Sequence, residues 1–509
     1  YTTNLALVSK ADPQQLVAKI LANKPPWLEK IEIAGPGFIN FYLAPAVFSE
    51  NLQTILDQGD KFGHSNQLAG QKIIVEYTDP NPFKEFHIGH LMSNTVGESI
   101  SRLVAANGAE VKHACYQGDV GLHVAKAVWG KQRSPDKSWG EAYVVGSQKY
   151  EDDQTAKQQI IELNKTIYER SDEAVNTLYD EGKKISLERF EEIYKKLCTK
   201  FDFYFFESET GEFGKQVVES NLGKFFEKSN GAIVFHGELY GLHTRVFINS
   251  EGLPTYEAKE LGLAKIKYDR YAYDQSIVVT GNEIVDYFRV LLAAMTLVFP
   301  DLAAKTKHLP HGMLRLTSGK MSSRTGDIIT GESLLQSVIE KVKIKMVDRG
   351  FGADKLKQIA EQVAVAAIKY SILKQAPGRD IIFDEEKSLA LEGDSGPYLQ
   401  YAYVRARSIL KKADYHPTSV ISPQGWDTTS LERLLIHFPN VVSRAVGESA
   451  PQIIITYLLA LASTFNAYYA TEPIIGSAQM GYKLALTSAV ATVLRNGLWL
   501  LGISAPEEM

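Results

Sequence analysis

The sequence predicts an α/β fold: a parallel sheet interrupted by an inserted helical subdomain, with a small α+β domain before it and an α-helical bundle after it. Three observations predict this. The apolar run "KIIVEYT" (72–78), a turn, a helix-forming stretch from about His90 and the strand-like "EVKHACYQGD" (110–119) have βαβ spacing. A charged helical interval from about 130 to 235 is too long for an ordinary crossover and reads as an insertion. Beyond residue 335 nearly every segment carries apolar residues at helical spacing.

In chain order, residues 1–65 combine a helical pattern, "PQQLVAKILANKPPWLEKI", with a strand, "INFYLAP", after the turn "AGPGF". The chain begins at Tyr1 rather than Met, so this unit is expected to be truncated at its start. The sheet unit spans 66–335. After the insertion, strands are expected to return at "AIVFHG", "TRVFINS" and "QSIVVTGN" to complete the sheet. A helical connector, 336–390, and a bundle, 391–509, follow. No internal repeat or low-complexity tract is present. The uncharged stretch "PQIIITYLLALASTFNAYYAT" (451–471) has Gln, Thr, Ser and Asn interspersed and reads as a bundle core helix rather than a membrane span.

The 509 residues, 45% hydrophobic and 23% charged, describe a multidomain globular chain. A net charge of -5 neither announces nor excludes a nucleic-acid partner. With only Cys115 and Cys198, there is no disulfide framework and no thiolate zinc site, which fits a reducing, cytoplasmic compartment.

The chemistry concentrates in two loops. In "DPNPFKEFHIGH" (79–90), His87 and His90 stand three apart at the mouth of a helix, where free backbone N–H groups and the helix dipole favour an anion. Gly89 between them lets a ligand approach the backbone. Alone the tetrapeptide says little, and a zinc reading lacks further ligands at suitable spacing. The second loop, "LTSGKMSSRTGD" (316–327), offers Lys320, the hydroxyls of Ser322 and Ser323, and Arg324, a set suited to gripping a triphosphate; alone it reads more readily as a solvated basic loop. The pair, separated by 230 residues of α/β chain from His90 to Lys320, is far more specific, and no Walker or GxGxxG loop competes for a nucleotide.

This pair resembles the HIGH and KMSKS-type motifs of class I aminoacyl-tRNA synthetases. "EYTDPNPFKEFHIGH" resembles the arginyl-tRNA synthetase form of the first motif, and so do "AGPGFINF", "GDVG", "LPTYEAKEL", "SGPYLQYAYVR" and "VLRNGLWLLGISAPEEM", which extend the match over nearly the whole chain. The resemblance implies a Rossmann-like class I synthetase catalytic domain, ATP with Mg²⁺ bound through the nucleotide, no zinc, and L-arginine and tRNA-Arg as substrates. It also implies a cytoplasmic ligase, expected here as a monomer away from membranes. His87, His90, Lys84 and Lys320 would act on the phosphates, with Gly89, Met321, Ser322, Ser323 and Arg324 binding ATP. Lys84 would supply the charge absent at Ser323. Glu76, Asn81, Tyr256 and Glu260 would hold arginine, the last two four apart on one helix face. Phe38 and Asn40 would meet the tRNA D-loop, and Tyr398, Tyr401, Tyr469 and Met509 the anticodon loop.

Two positions depart from the family pattern: Glu260 stands where Asp is usual, and Ile284 where Gln is usual. The bundle carries eight Lys/Arg against nine Asp/Glu, so an RNA grip there rests on stacking and shape. Rival readings are another class I synthetase, or a synthetase-derived RNA-binding protein without catalysis.

Overall fold

The computed structural model describes residues 2–4, 6, 8, 10–35, 37–316, 330–416 and 420–509. The chain opens with strands β1 (Thr2–Thr3), β2 (Leu28–Ala34) and β3 (Phe38–Leu43), an antiparallel sheet in the order β1-β3-β2. Helix α1 (Pro13–Ala22) starts where Asp12 accepts from Gln14 N at 2.9 Å and Pro13 needs no donor partner. Helix α2 (Pro45–Gln58) leads out of this unit.

Strand β4 (Lys72–Glu76), helix α3 (Ile88–Ala106) and strand β5 (Glu110–Gln117) form the expected βαβ unit, with parallel register from Lys72↔Glu110 to Glu76↔Ala114. Four helices follow: α4 (Leu122–Arg133), α5 (Trp139–Asp152), α6 (Gln154–Glu169) and α7 (Glu173–Lys196). Side chains of Ser138, Asp153 and Asp172 cap the last three. Their small core includes Val124, Val128, Trp139 and Ile160, with Phe83 from the loop after β4 inserted among them.

The chain then re-enters the sheet at β6 (Phe203–Phe206), continues through helix α8 (Glu207–Ser220), and makes a separate antiparallel sheet from β7 (Glu227–Ser229), β8 (Ala232–Phe235) and β9 (Arg245–Ile248). This corrects the expectation that "AIVFHG" and "TRVFINS" complete the main sheet: β8 and β9 pair with each other, and the strand that fills the sheet edge is the aromatic run of β6 inside the presumed insertion. Helix α9 (Tyr256–Arg270), β10 (Gln275–Gly281), α10 (Val285–Val298), α11 (Pro300–Lys305) and β11 (Thr306–His311) finish a five-stranded parallel sheet in the order β11-β10-β4-β5-β6.

Strand alternation sets its two faces. Ile74 and Tyr116 pack toward α9 with Leu263 and Tyr273, whereas Ile73, Val75 and Tyr77 pack toward α3.

Strand β12 (Leu314–Leu316) pairs with β13 (Ile381–Phe383) across helices α12 (Gly331–Met346) and α13 (Ala353–Leu373). After the short α14 (Glu385–Ser388) comes the bundle: α15 (Gly396–Lys412), α16 (Ser430–Leu435), α17 (Phe438–Gly447), α18 (Gln452–Thr471) and α19 (Met480–Leu500). Helix α18 is long and apolar enough to cross a membrane, yet Ile454, Leu458, Leu461 and Phe465 form one face fully buried in the bundle. Each such side chain contributes about 1.5–3 kcal/mol of burial.

The bundle is bolted to the sheet unit. Asn496 donates to Gly59 O and Phe62 O, Ser99 and Arg102 of α3 donate to Leu500 O and Trp499 O, and Lys369 donates to Leu197 O and Gly502 O.

Candidate active site

The loop from β4 to α3 carries three non-glycine residues in the left-handed region: Thr78 (φ 82°), Asp79 (φ 47°) and Phe83 (φ 69°). Such backbone persists only where its surroundings hold it, and it concentrates at functional sites. Here Thr78 N donates to Ser93 Oγ (2.9 Å), Asp79 Oδ1 accepts from Tyr116 N (2.7 Å), and Phe83 N donates to Ser186 Oγ (2.9 Å).

The loop delivers His87 and His90 to the first turn of α3, their rings stacked with centroids 3.5 Å apart. His90 Nδ1 accepts from His87 N at 3.3 Å, which leaves the ring proton of the neutral imidazole on Nε2. Desolvation and then the Lys84 ammonium push His87 down to about 4; desolvation, His87 and Lys84 hold His90 well below the ordinary imidazole value. Both are neutral donors at pH 7. A Cβ on Gly89 would stand 2.9 Å from His87 Cε1, so the ring stack needs glycine there. Lys84 lies 5.0 Å from the centroid of the Tyr143 ring on α5.

Lys320, Met321, Ser322, Ser323 and Arg324 lie outside the described residues. The described residue that follows that stretch, Thr330, forms a bridge with His87, and Gly331 N donates to Phe86 O at 2.7 Å.

On the α9 face of the sheet lies an acidic notch. Glu76, at the end of β4, is fully buried and paired with Lys267 at 2.6 Å; Glu207 is paired with Lys259 at 2.6 Å. Among the described residues Asp79 and Glu260 have no such ammonium partner. Burial and then the Glu76 charge push both carboxyls well above the usual carboxylate range, although Glu260 keeps some access to water at the notch floor. Among the described residues four carboxyl groups therefore share two ammoniums, and a further cation would favour the ionised form of the two raised ones. Asn81 enters the same space: a Cβ on Gly118 would meet Asn81 Oδ1 at 2.2 Å and Glu207 Oε1 at 3.1 Å. Tyr256 sits at the rim, mostly exposed, with the Lys259 ammonium 5.3 Å from its ring centroid.

Sequence reading missed Asp79, Asp119, Glu207, Lys259 and Lys267. Asp79 stood inside the quoted first motif. Asp119, fully buried, accepts from Tyr179, Lys183 and Ser208 and so ties α7 to the start of α8. The pair Glu76–Lys267 spans 191 residues and leaves no local pattern.

Among the expected tRNA contacts, Phe38 is 39% exposed at the start of β3, and Asn40 Oδ1 accepts from Thr2 Oγ1. Tyr398, Tyr401 and Tyr469 converge on a polar pair. Arg405 donates to Tyr401 Oη (3.1 Å) and Asn466 Oδ1 (2.7 Å), Asn466 donates to Tyr398 Oη (3.1 Å), and the Arg405 guanidinium lies 5.5 Å from the Tyr469 ring centroid. Met509 packs, partly buried, on the main core.

Comparison with known proteins gives three family matches in chain order. The arginyl tRNA synthetase N-terminal domain matches residues 1–43, the class I (R) tRNA synthetase catalytic domain residues 51–385, and the DALR anticodon binding domain residues 399–509. The arginine--tRNA ligase of Streptococcus pneumoniae is 31% identical over 524 residues, covering 99% of this chain and 92% of its own. That of Clostridium perfringens is 27% identical over 525 residues with the same coverages. The Thermus thermophilus arginyl-tRNA synthetase structure shares the fold at TM-score 0.74, with 24% identity, 100% of this chain and 94% of that chain covered.

Proposed function

This chain belongs to the arginyl-tRNA synthetase family, from which we infer that it activates L-arginine with ATP and transfers the arginyl group to the terminal adenosine of tRNA-Arg. The observation that carries the reading is the acidic notch beside a helix mouth that bears neutral imidazole donors. The notch suits a guanidinium: Glu76, Glu260 and Asn81 supply acceptors and Tyr256 closes the rim.

In the first step an arginine carboxylate oxygen bonds to the α-phosphorus while the bond to the β-phosphate oxygen breaks, releasing pyrophosphate. His87 and His90 donate to phosphate oxygens at the α3 N-terminus, Gly89 leaves room for them, and Lys84 adds positive charge; Lys320, Met321, Ser322, Ser323 and Arg324 complete the grip. Mg²⁺, bound through the nucleotide, would supply neutralising charge to its phosphate oxygens. Among the described residues no group of three or more His, Cys, Asp or Glu side chains is placed to hold a metal ion. In the second step the 2′-hydroxyl of the tRNA terminus attacks the arginyl carbonyl and AMP leaves.

The bundle reads the anticodon loop through Tyr398, Tyr401, Tyr469 and Met509, and Phe38 and Asn40 meet the D-loop. A guanidinium is selected by charge and forked hydrogen bonds, so no editing site is needed. The protein works in the cytoplasm as a monomer.

Adenylate formation across the twenty amino acids, with and without tRNA-Arg, tests the reading. Arginine alone should support it. His90→Ala and Lys320→Ala should slow activation more than they weaken arginine binding. Binding of tRNA with no charging of any amino acid would remove the catalytic reading.

A further inference from the structure

One buried group beside the notch has no partner. The Tyr287 hydroxyl is shielded from solvent and makes no hydrogen bond among the described residues, a state that ordinarily destabilises a protein. Tyr287 lies in the first turn of α10, which leaves β10, the strand whose Val278 pairs with Glu76. Its ring is held by contacts that leave the oxygen alone. Phe288 packs edge-on at 5.5 Å, and the Arg245 guanidinium lies 5.6 Å from the ring centroid. Arg245 in turn pairs at 3.3 Å with Glu257, which sits on α9 one turn before Glu260. The charges of Glu260, Glu257 and Glu207 all act on the phenol. Tyr116 feels the same Glu207 and Glu260 charges, but its hydroxyl is satisfied by Thr210 Oγ1 at 2.9 Å. The Tyr287 hydroxyl, in the same field, has no such partner among the described residues.

We propose that Tyr287 is a specificity-determining residue whose hydroxyl hydrogen-bonds the guanidinium of bound arginine; this rests on the reading of the Glu76–Glu260 notch as the arginine site. A guanidinium presents five N–H donors in a plane and no acceptor. Carboxylates take donors at the floor, and a phenol oxygen at the side wall accepts one more while its own O–H turns to the Glu260 carboxylate. The compact ammonium of lysine cannot span floor and side wall together. Ile284, one turn before Tyr287, brings no polar atom to the space, so the phenol is the side-wall group available from this helix.

The test is Tyr287→Phe in the full-length protein, with KM for arginine and for ATP measured by ATP–pyrophosphate exchange in the presence of tRNA, and with thermal melting of the free protein. Loss of a hydrogen bond to a charged group should raise the arginine KM about tenfold and leave the ATP KM unchanged. Because an unpartnered hydroxyl is removed, the melting temperature should hold or rise. Ile284→Gln added to Tyr287→Phe places an amide one turn away on the same helix face and should recover part of the arginine affinity. An unchanged arginine KM in Tyr287→Phe overturns the proposal, and so does a joint loss of melting temperature and of affinity for both substrates. Glu260→Gln separates the levels. If it raises the arginine KM while Tyr287→Phe does not, the phenol falls alone; if neither variant moves it, the notch reading falls as well.

Discussion

Replacing Lys267 with Met removes the ammonium that faces Glu76 and should open the sheet end locally in a pH-dependent way. Lys267 Nζ lies 2.6 Å from Glu76 Oε2, and the two side chains are 4% and 2% exposed. At an effective dielectric of about 20 the attraction at that distance is about 6 kcal/mol, and desolvation of the two ions opposes it with several kcal/mol each. The intact pair is therefore nearly neutral for stability; what matters is the carboxylate left behind. A buried glutamate without its partner takes up a proton rather than stay charged. From an ordinary value of about 4.3, that costs about 3.7 kcal/mol at pH 7, and about 1 kcal/mol at pH 5. The sign follows from proton counts: the folded variant holds a proton that the unfolded chain has released, so its stability falls as pH rises above about 4. In the wild type, Glu76 raises the Lys267 ammonium against desolvation, so its contribution is present throughout the acid and neutral range and is lost only above the ordinary lysine value. The difference between the two proteins from pH 5 to 7.5 thus belongs to the carboxyl. Amide hydrogen exchange read on Lys72–Glu76 and Tyr256–Arg270 gives the local opening free energy without assuming two-state unfolding of a multidomain chain. The exposed pair Arg170–Asp180, 45% and 58% accessible, is the control; breaking it should cost under about 1 kcal/mol. A Lys267→Met deficit that stays flat between pH 5 and 7.5, or that matches the control at pH 7, refutes the argument.

Two further outcomes concern titratable groups elsewhere. Because desolvation and Lys84 bring His87 to about 4, the imidazole is neutral at pH 7, and in the proposed role it donates without charge. His87→Asn, a neutral donor, should keep activation within about tenfold of wild type, whereas His87→Ala should lose about a hundredfold; equal losses in pre-steady-state adenylate formation would show that a charge is required. At the junction of the sheet unit and the bundle, desolvation lowers fully buried Lys369 to about 8 against Glu98, which raises it. Between pH 8 and 10 the unfolded chain then binds more protons than the folded one, so stability from this residue rises with pH. The melting temperature of wild type relative to Lys369→Met should increase over that interval, and a falling difference would contradict the assignment.

What could be read from the sequence was local. The strand Lys72–Glu76, the helix after His87 and the apolar faces of the bundle each follow from side-chain period within a short window. Partner choice did not follow. The periods of Ala232–Phe235 and Arg245–Ile248 mark strands but do not say which sheet they join, and the four-residue Phe203–Phe206, all aromatic, was hidden at the end of a helical run. Within the site, the first motif gave the imidazoles and Lys84. The ammoniums of Lys259 and Lys267 sit on α9 among charged neighbours that look like a solvated face, and only the fold turns them inward onto Glu207 and Glu76. The unmatched Tyr287 hydroxyl is likewise a property of packing, since a tyrosine in an amphipathic helix carries no mark of whether its oxygen finds a partner.

The period of two along β4 divides the labour of the site. Glu76 points toward α9, where Lys267 holds it; the next residue, Tyr77, points toward α3, where its hydroxyl donates to Glu98 at 2.6 Å. The cation-seeking wall and the anion-seeking helix mouth thus stand on opposite faces of one strand end, and the chain between them is the strained loop from Thr78 to Phe83. Among the described residues the notch has more carboxyl groups than ammoniums, and the helix mouth presents neutral imidazole donors. In the proposed reading a guanidinium in the notch and a triphosphate at the helix mouth would hold the arginine carboxylate and the α-phosphorus near the strand crest that both faces share. Confinement of this kind contributes to rate through lost translational freedom, with no proton transfer demanded of the groups that hold the ligands. A one-residue register shift of β4 would turn Glu76 into the α3 core and Tyr77 into the notch, abolishing both pockets at once. The same register that buries Ile73 and Val75 against α3 therefore also fixes where charge can be bound.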